Sequence, residues 1–257
     1  MTSKTCAMPL KIVIPSHKRW DRVFAKNLVT NPIICVAESQ REQYERYNPE
    51  CEIVTHPDDV IGLIPKRNWM AKHFGELFML DDDVHACKYL AAVPGEKTVI
   101  KDKERVTAII NELHELACML DVHVFGFTSR ISPMMYEEDA WLSLTKMITG
   151  CSYGVRYNKN VWWNEELRLK EDFWISCYMK YKERRILTDL RYSFSQKDTF
   201  VNAGGLSAFR NQEEERRCIM LIRKNFGESI RLKGVTNNGK GVTKQMVEYN
   251  ITVKFPF

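Results

Sequence analysis

The chain has 257 residues, with 38 Lys+Arg against 33 Asp+Glu and a formal net charge of +5. Hydrophobic residues at 44% and aromatics at 11% exclude a disordered or collagen-like polymer and suffice for a sizeable core. Uninterrupted apolar runs reach only five residues, as at Ile33 to Ala37, against the roughly 20 that a bilayer crossing needs, and the first ten residues lack the apolar stretch of a secretion signal. The expectation is a cytoplasmic protein with no membrane partner. Its eight cysteines contain no CxxC pair and read as free thiols of a reducing compartment.

A strand is expected at Leu10 to Ile14, running into the polar Pro15-Ser16-His17-Lys18-Arg19. Asp21 to Thr30 has near-helical apolar spacing, and Ile33 to Ala37 is a second strand, followed by a charged stretch from Glu38 to Tyr47. Cys51 to Val54 is a third strand. Pro65-Lys66-Arg67-Asn68 reads as a turn, Trp69 to Phe74 as a short helix, and Leu77 to Leu80 as a strand that meets three aspartates. Val106, Ile109, Ile110, Leu113, Leu116 and Leu120 mark one helical face, with Asp102 as its N-cap. Val122 to Phe127 is a strand, Trp174 to Tyr181 a helix, Ile186 to Leu187 a strand, and residues 247–255 alternate as a half-buried strand. Strands alternating with helices predict a single α/β domain with a mixed, mainly parallel sheet. Ligands of such sheets gather at the strands' carboxyl ends, which singles out Ser16 to Arg19, Glu38 and Asp81 to Asp83.

Asp81-Asp82-Asp83 follows a buried strand, where three adjacent carboxylates repel unless a cation compensates. In an extended backbone Asp81 and Asp83 share one side and Asp82 faces the other. Two hard oxygen ligands suit Mg2+ or Mn2+ completed by water and a diphosphate; the alternative is a solvated acidic loop. His85, two residues on, is a further candidate ligand or a loop-lining residue. Glu171 and Asp172 open an aromatic-rich helix. The helix dipole alone favours acids there, and a general base is the functional alternative. Trp162, Trp163, Phe173 and Trp174 either stack on a ligand or belong to the core.

Taken in order, the Pro15-Ser16-His17-Lys18-Arg19 loop, Pro65-Lys66-Arg67-Asn68, Leu80-Asp81-Asp82-Asp83, Glu171-Asp172 and Asn202-Ala203-Gly204-Gly205-Leu206-Ser207 resemble a nucleotide-sugar glycosyltransferase of the Rossmann-like GT-A fold. The Thr188-Asp189 strand end, the Gly-Gly-x-Ser loop and the charged helix after Arg210 are similar to the phage family associated with TET/JBP-type base hydroxylases. The resemblance implies transfer of a glucose- or arabinose-type sugar from a UDP-sugar to a hydroxymethylated pyrimidine, 5-hydroxymethylcytosine, in DNA; direct displacement with a carboxylate base predicts inversion, and retention stays open if that carboxylate only positions the acceptor. The resemblance also implies that Asp83 and Asp81 hold the metal. Pro15, Ser16, Glu38, Lys66, Arg67, Asn68, Asp81, Asp82, Gly204 and Gly205 would surround the donor, and Asp172 would be the base with Glu171 as its substitute. Gly204-Gly205 is equally readable as a plain turn.

Residues 1–208 balance their charges, whereas residues 209–257 carry 10 Lys+Arg against 5 Asp+Glu. The expected division is a catalytic core over 1–208 and a basic extension over 209–257 that touches DNA phosphates through Arg210, Lys233, Lys240 and Lys244. A solvated charged helix is the alternative. Three further readings stay open on sequence alone: the same chemistry on a polysaccharide, a protein or an already glycosylated base; a non-catalytic DNA-binding module; and a nucleotidyltransferase, whose Gly-rich phosphate loop is not evident after the first strand.

Overall fold

A computed structural model describes residues 9–93, 96–130, 132–137, 139–197, 211–232 and 251–253. Its centre is an eight-stranded sheet. The strands in chain order are β1 (Lys11–Pro15), β2 (Ile33–Ala37), β3 (Glu52–His56), β4 (Glu76–Leu80), β7 (Val124–Phe127), β8 (Leu142–Ser143), β9 (Ser152–Arg156) and β10 (Leu187–Asp189). They are arranged β3-β2-β1-β4-β9-β7-β10-β8. The pairs β1/β2, β2/β3, β1/β4 and β7/β10 are parallel, while β9 runs antiparallel to β4 and β7, and β8 to β10. Six strands therefore point the same way and share one carboxyl edge. The mixed, mainly parallel α/β domain expected from the sequence is what forms.

The strands read as continuous apolar runs because both faces of the sheet are covered. Val13, Ile33, Leu77, Met79 and Val155 join the core on one face, together with Ile64 and Met70 of α2 (Leu63–Phe74) and Trp174 and Ile175 of α4 (Glu171–Glu183). Ile12, Ile14, Phe78, Leu80 and Phe125 face the other core, against Tyr44 of α1 (Arg41–Tyr47) and Val106, Ile109 and Ile110 of α3 (Lys103–Met119). The α3 N-cap is as expected: the Asp102 carboxylate accepts from the backbone N–H groups of Glu104 and Arg105. Cys218, Ile219 and Ile222 of α5 (Gln212–Phe226) lie in the same core as Trp174. No helix among the described residues is long and apolar enough to cross a membrane.

Several expectations change. Pro65 to Asn68 is not a turn but part of α2, and Pro65 fits because it is the third helical residue, where no intrahelical partner awaits its missing N–H. Asp21 to Thr30 yields only a 3-10 turn, Phe24–Asn27. The helix expected at Trp174 begins at Glu171, so both candidate acids are helical. A second, three-stranded sheet, unforeseen in the sequence, is built from β5 (Val84–Tyr89), β6 (Val99–Ile100) and β11 (Tyr192–Gln196). Of the C-terminal strand, Ile251–Val253 (β13) pairs with Ile230–Leu232 (β12). Six described cysteines are free thiols, but Cys118 is disulfide-bonded, against the expectation for all eight.

The unforeseen central strand β9 depends on a glycine. A Cβ on Gly154 would fall inside the Phe125 ring. Gly154→Ala is expected to cost roughly 1–3 kcal/mol by overpacking, read as a lower urea midpoint with an unchanged slope. An unchanged midpoint would contradict this packing.

Candidate active site

The shared carboxyl edge gathers the residues after β1, β2, β3 and β4, together with Gly150 and Cys151, which lead into the reversed strand β9. Asp81 to Asp83 form a turn rather than an extended run: the Val84 N–H donates to the Asp81 carbonyl at 3.1 Å, and the Asp81 N–H donates to the Cys151 carbonyl at 2.9 Å. Asp82 nonetheless separates from its neighbours. It accepts from Ser16 Oγ at 2.6 Å and from Arg19 Nη1 at 2.9 Å, while Ser16 Oγ also lies 2.7 Å from the Tyr44 hydroxyl. Asp83 Oδ1 accepts from Gln196 Nε2 at 2.9 Å. Asp82 thus fastens the β1 loop. Asp81 Oδ2 has no side-chain hydrogen bond among the described residues, and Asp83 Oδ2 meets only the longer Arg19 ion pair there, at 3.8 Å.

Arg67 joins this turn to α4. Its guanidinium is fully buried, and Nη2 donates to Asp81 Oδ1 at 3.1 Å, to the Gly150 carbonyl at 3.1 Å and to Glu171 Oε1 at 3.2 Å. One nitrogen with two hydrogens therefore serves three acceptors. Tyr153 backs the guanidinium, with its ring centroid 5.0 Å away. Burial alone would lower the Arg67 pKa, but Tyr153, Asp81, Glu171 and Asp172 raise it above its ordinary value.

The carboxylates respond in the opposite sense. Burial raises Asp81 to about 7 against the pull of Arg67, and the charges of Asp83, Glu171 and Asp82 add to the rise. Asp83 is raised by burial and by Asp82, opposed by Gln196 and Arg19. Asp172 rises to about 7 through burial and the neighbouring Glu171 charge, opposed by the Phe173 N–H, Lys170 and Arg67. Its Oδ1 accepts from that N–H at 2.9 Å, and its Oδ2 faces Gly150, where a Cβ would stand only 3.1 Å away. Only a glycine leaves this oxygen such room. Lys170, just before α4, holds a left-handed backbone (φ 63°), and its amine pairs with Glu215 of α5 at 2.8 Å.

The other sequence-derived candidates have definite places. Pro15 ends β1, and Glu38 lies exposed just after β2. Lys66 is buried, donates to the Ser16 carbonyl at 2.7 Å, and is pushed down to about 8 by burial, which Cys35 and Asp82 partly oppose. Asn68 is committed to the following segment of chain: its amide donates to the Trp163 carbonyl and Glu165 and accepts from the Trp163 N–H. It therefore positions residues 163–165. Trp163 and Trp174 are buried core residues, while Trp162 is 39% exposed. His85 is exposed on β5. Gly204, Gly205, Arg210, Lys233, Lys240 and Lys244 lie outside the described residues. Gly150, Tyr153 and Gln196 carried no signal in the sequence, because they belong to or adjoin strands it did not reveal.

Two groups bear on a metal. Glu76, His114 and Cys118 bring ligand atoms within 4.8 Å of one another. Yet Cys118 is disulfide-bonded and offers no thiolate, and His114 Nε2 is already 2.6 Å from Glu76 Oε2. That cluster sits at the opposite end of β4 from the aspartates and reads as a buried polar bond. At the aspartate turn, five carboxylates (Asp81, Asp82, Asp83, Glu171, Asp172) meet three cations (Arg19, Lys66, Arg67), a formal excess of two negative charges when every group is ionised. Hard oxygens with that deficit fit a divalent cation that takes only two protein carboxylates.

Removing Arg67 would strand these acids in the core. Arg67→Met is expected to destabilise the fold by about 3–5 kcal/mol, the usual cost of breaking a buried ion pair from one side, with Arg67→Lys recovering part of the loss. Urea unfolding of both variants checks this, and wild-type stability in Arg67→Met would refute it.

No curated protein matches the chain. The family model described as TET-Associated Glycosyltransferase matches residues 10–205, a span that includes every strand of the central sheet and both halves of the Arg67 network. The chain therefore belongs to the TET-associated glycosyltransferases.

Proposed function

We propose that this glycosyltransferase moves a sugar from a UDP-sugar to the hydroxymethyl group of a modified pyrimidine in DNA, 5-hydroxymethylcytosine, with inversion and with a divalent metal. The observation that carries the reading is the Arg67 bridge, which sets the Asp81 turn and the base-bearing end of α4 around one guanidinium. Donor and acceptor chemistry need that proximity.

Asp83 and Asp81, through their Oδ2 atoms, would hold Mg2+ or Mn2+, which when bound supplies Lewis-acid neutralisation of a diphosphate. Asp172 Oδ2 takes the proton of the acceptor hydroxyl. The acceptor's hydroxyl oxygen, so deprotonated, forms the new bond to the anomeric carbon as the sugar's bond to the diphosphate breaks, and the electron pair departs with the nucleoside diphosphate. Glu171, 3.2 Å from Arg67, adds to the burial that lifts Asp172 to about 7, near the working pH at which a general base is most effective. The β1 loop with Pro15 and Ser16, clamped by Asp82, forms the floor for the nucleotide, with Glu38 at the next strand end. Lys66 adds positive potential beneath it.

Mass spectrometry of nucleosides, after incubation with Mn2+, a panel of UDP-sugars and hydroxymethylated or unmodified DNA, tests the reading. A gain of one sugar on the hydroxymethylated base alone is expected; turnover only on an oligosaccharide would contradict it. Asp172→Asn should slow transfer about 10²–10⁴-fold while donor affinity is kept, and normal turnover would remove Asp172 as the base. Transfer by the wild type should rise with pH through about 7 as Asp172 ionises and then level off. A rate independent of pH between 6 and 8 (roughly one unit either side of that value) would contradict the assignment.

A further inference from the structure

We infer that Trp141 and Arg191 form a stacking platform for DNA bases that flank the target nucleotide. This rests on the DNA-glycosylating reading above and extends it to a second contact surface. Trp141 is 60% exposed, yet its backbone is fixed: its carbonyl accepts from the Leu190 N–H at 2.7 Å, just past β10. Arg191 lies against two rings, its guanidinium carbon 5.8 Å from the Trp141 centroid and 5.4 Å from that of Tyr192. Tyr192 in turn packs on Tyr89 at 5.3 Å.

The guanidinium plane is held rather than free. Asp189, 2% exposed, accepts from Arg191 Nε at 3.2 Å and from Nη2 at 2.7 Å, and also accepts from the Arg191 N–H at 2.8 Å. A buried carboxylate spent on orienting one surface arginine under a solvent-facing indole is costly for stability alone, because the pair is half desolvated. It suits a planar ligand that stacks on the indole. Nucleic-acid bases stack on aromatic side chains and on guanidinium planes, and the side chain that anchors the stack is cationic.

The platform connects with the catalytic edge. Trp141 belongs to the segment that leaves β7 and returns to Gly150, and the Thr149 N–H donates to the Phe127 carbonyl at 3.2 Å, closing that segment at the site. Trp141 directly precedes β8, four strands from β4, or about 19 Å at ~4.8 Å per strand. At ~3.4 Å per stacked nucleotide that is about six nucleotides. The platform therefore serves neighbours of the reacting base, not the base itself.

The test compares transfer to a hydroxymethylated oligonucleotide longer than about six nucleotides on either side of the target with transfer to the free hydroxymethylated nucleoside. In Trp141→Ala the ratio of kcat/KM for the oligonucleotide to that for the nucleoside should fall at least about fivefold, and Trp141→Phe should restore most of it. Binding of the same oligonucleotide without donor should quench tryptophan fluorescence in the wild type and lose part of that quench in Trp141→Phe. A wild type that glycosylates DNA while the ratio stays unmoved in Trp141→Ala overturns the platform alone. A wild type that glycosylates no DNA overturns the platform and the function on which it rests.

Discussion

The arrangement depends on the buried guanidinium of Arg67. An ion of this size loses several kcal/mol of hydration on entering a core, and here the loss is offset by acceptors from three separate parts of the chain: the turn after β4, the residue leading into β9 and the first turn of α4. Asp81 and Glu171 would repel each other if brought together unaided. A single cation between them holds both, and it fixes how far the α4 end can sit from the aspartate turn. Because Nη2 divides its two hydrogens among three acceptors, no one of these bonds is saturated. Each carboxylate therefore depends on what the others do.

That dependence explains the acidity of the site. Burial pushes Asp81 and Asp172 up to about 7, and Arg67 opposes the rise in both. The residual excess of negative charge belongs to the turn, where Asp82 is paired with Arg19 at 2.9 Å and bonded by Ser16, while Asp83 accepts from Gln196 and lies 3.8 Å from the same Arg19 nitrogen. A diphosphate approaching this rim would bring further negative charge, and the proposed divalent cation would offset it. The base end is arranged differently. Asp172 has one oxygen occupied by its own helix and one turned to the gap that Gly150 leaves, which sets the proposed proton acceptor apart from the proposed cation ligands.

Much of this was legible in the amino-acid order. Strands β1, β2, β4 and β7 are covered on both faces, so their burial is written as unbroken apolar runs, and three aspartates after such a run are conspicuous. The acids that begin α4 were visible for a similar reason. Strand β9 was not, since Ser152, Gly154 and Arg156 break its pattern; Gly154 is required by the Phe125 ring, a contact between strands distant in sequence. Arg67 was readable as a cation of the site but not as its internal strut. In the chain it lies beside Lys66 and Asn68, which turn to the Ser16 carbonyl just past β1 and to the Trp163 backbone respectively, and only the three-dimensional placement of α2 separates the three roles. The disulfide at Cys118 likewise leaves no local mark.

The claim that one guanidinium couples the donor and acceptor halves is tested most directly by a double-mutant cycle between Asp81→Asn and Glu171→Gln, read by urea unfolding. Both carboxylates draw on the same Arg67 nitrogen, so the losses should be non-additive, with a coupling energy of at least about 1 kcal/mol. Additivity within about 0.5 kcal/mol, the behaviour of independent sites, would contradict the account.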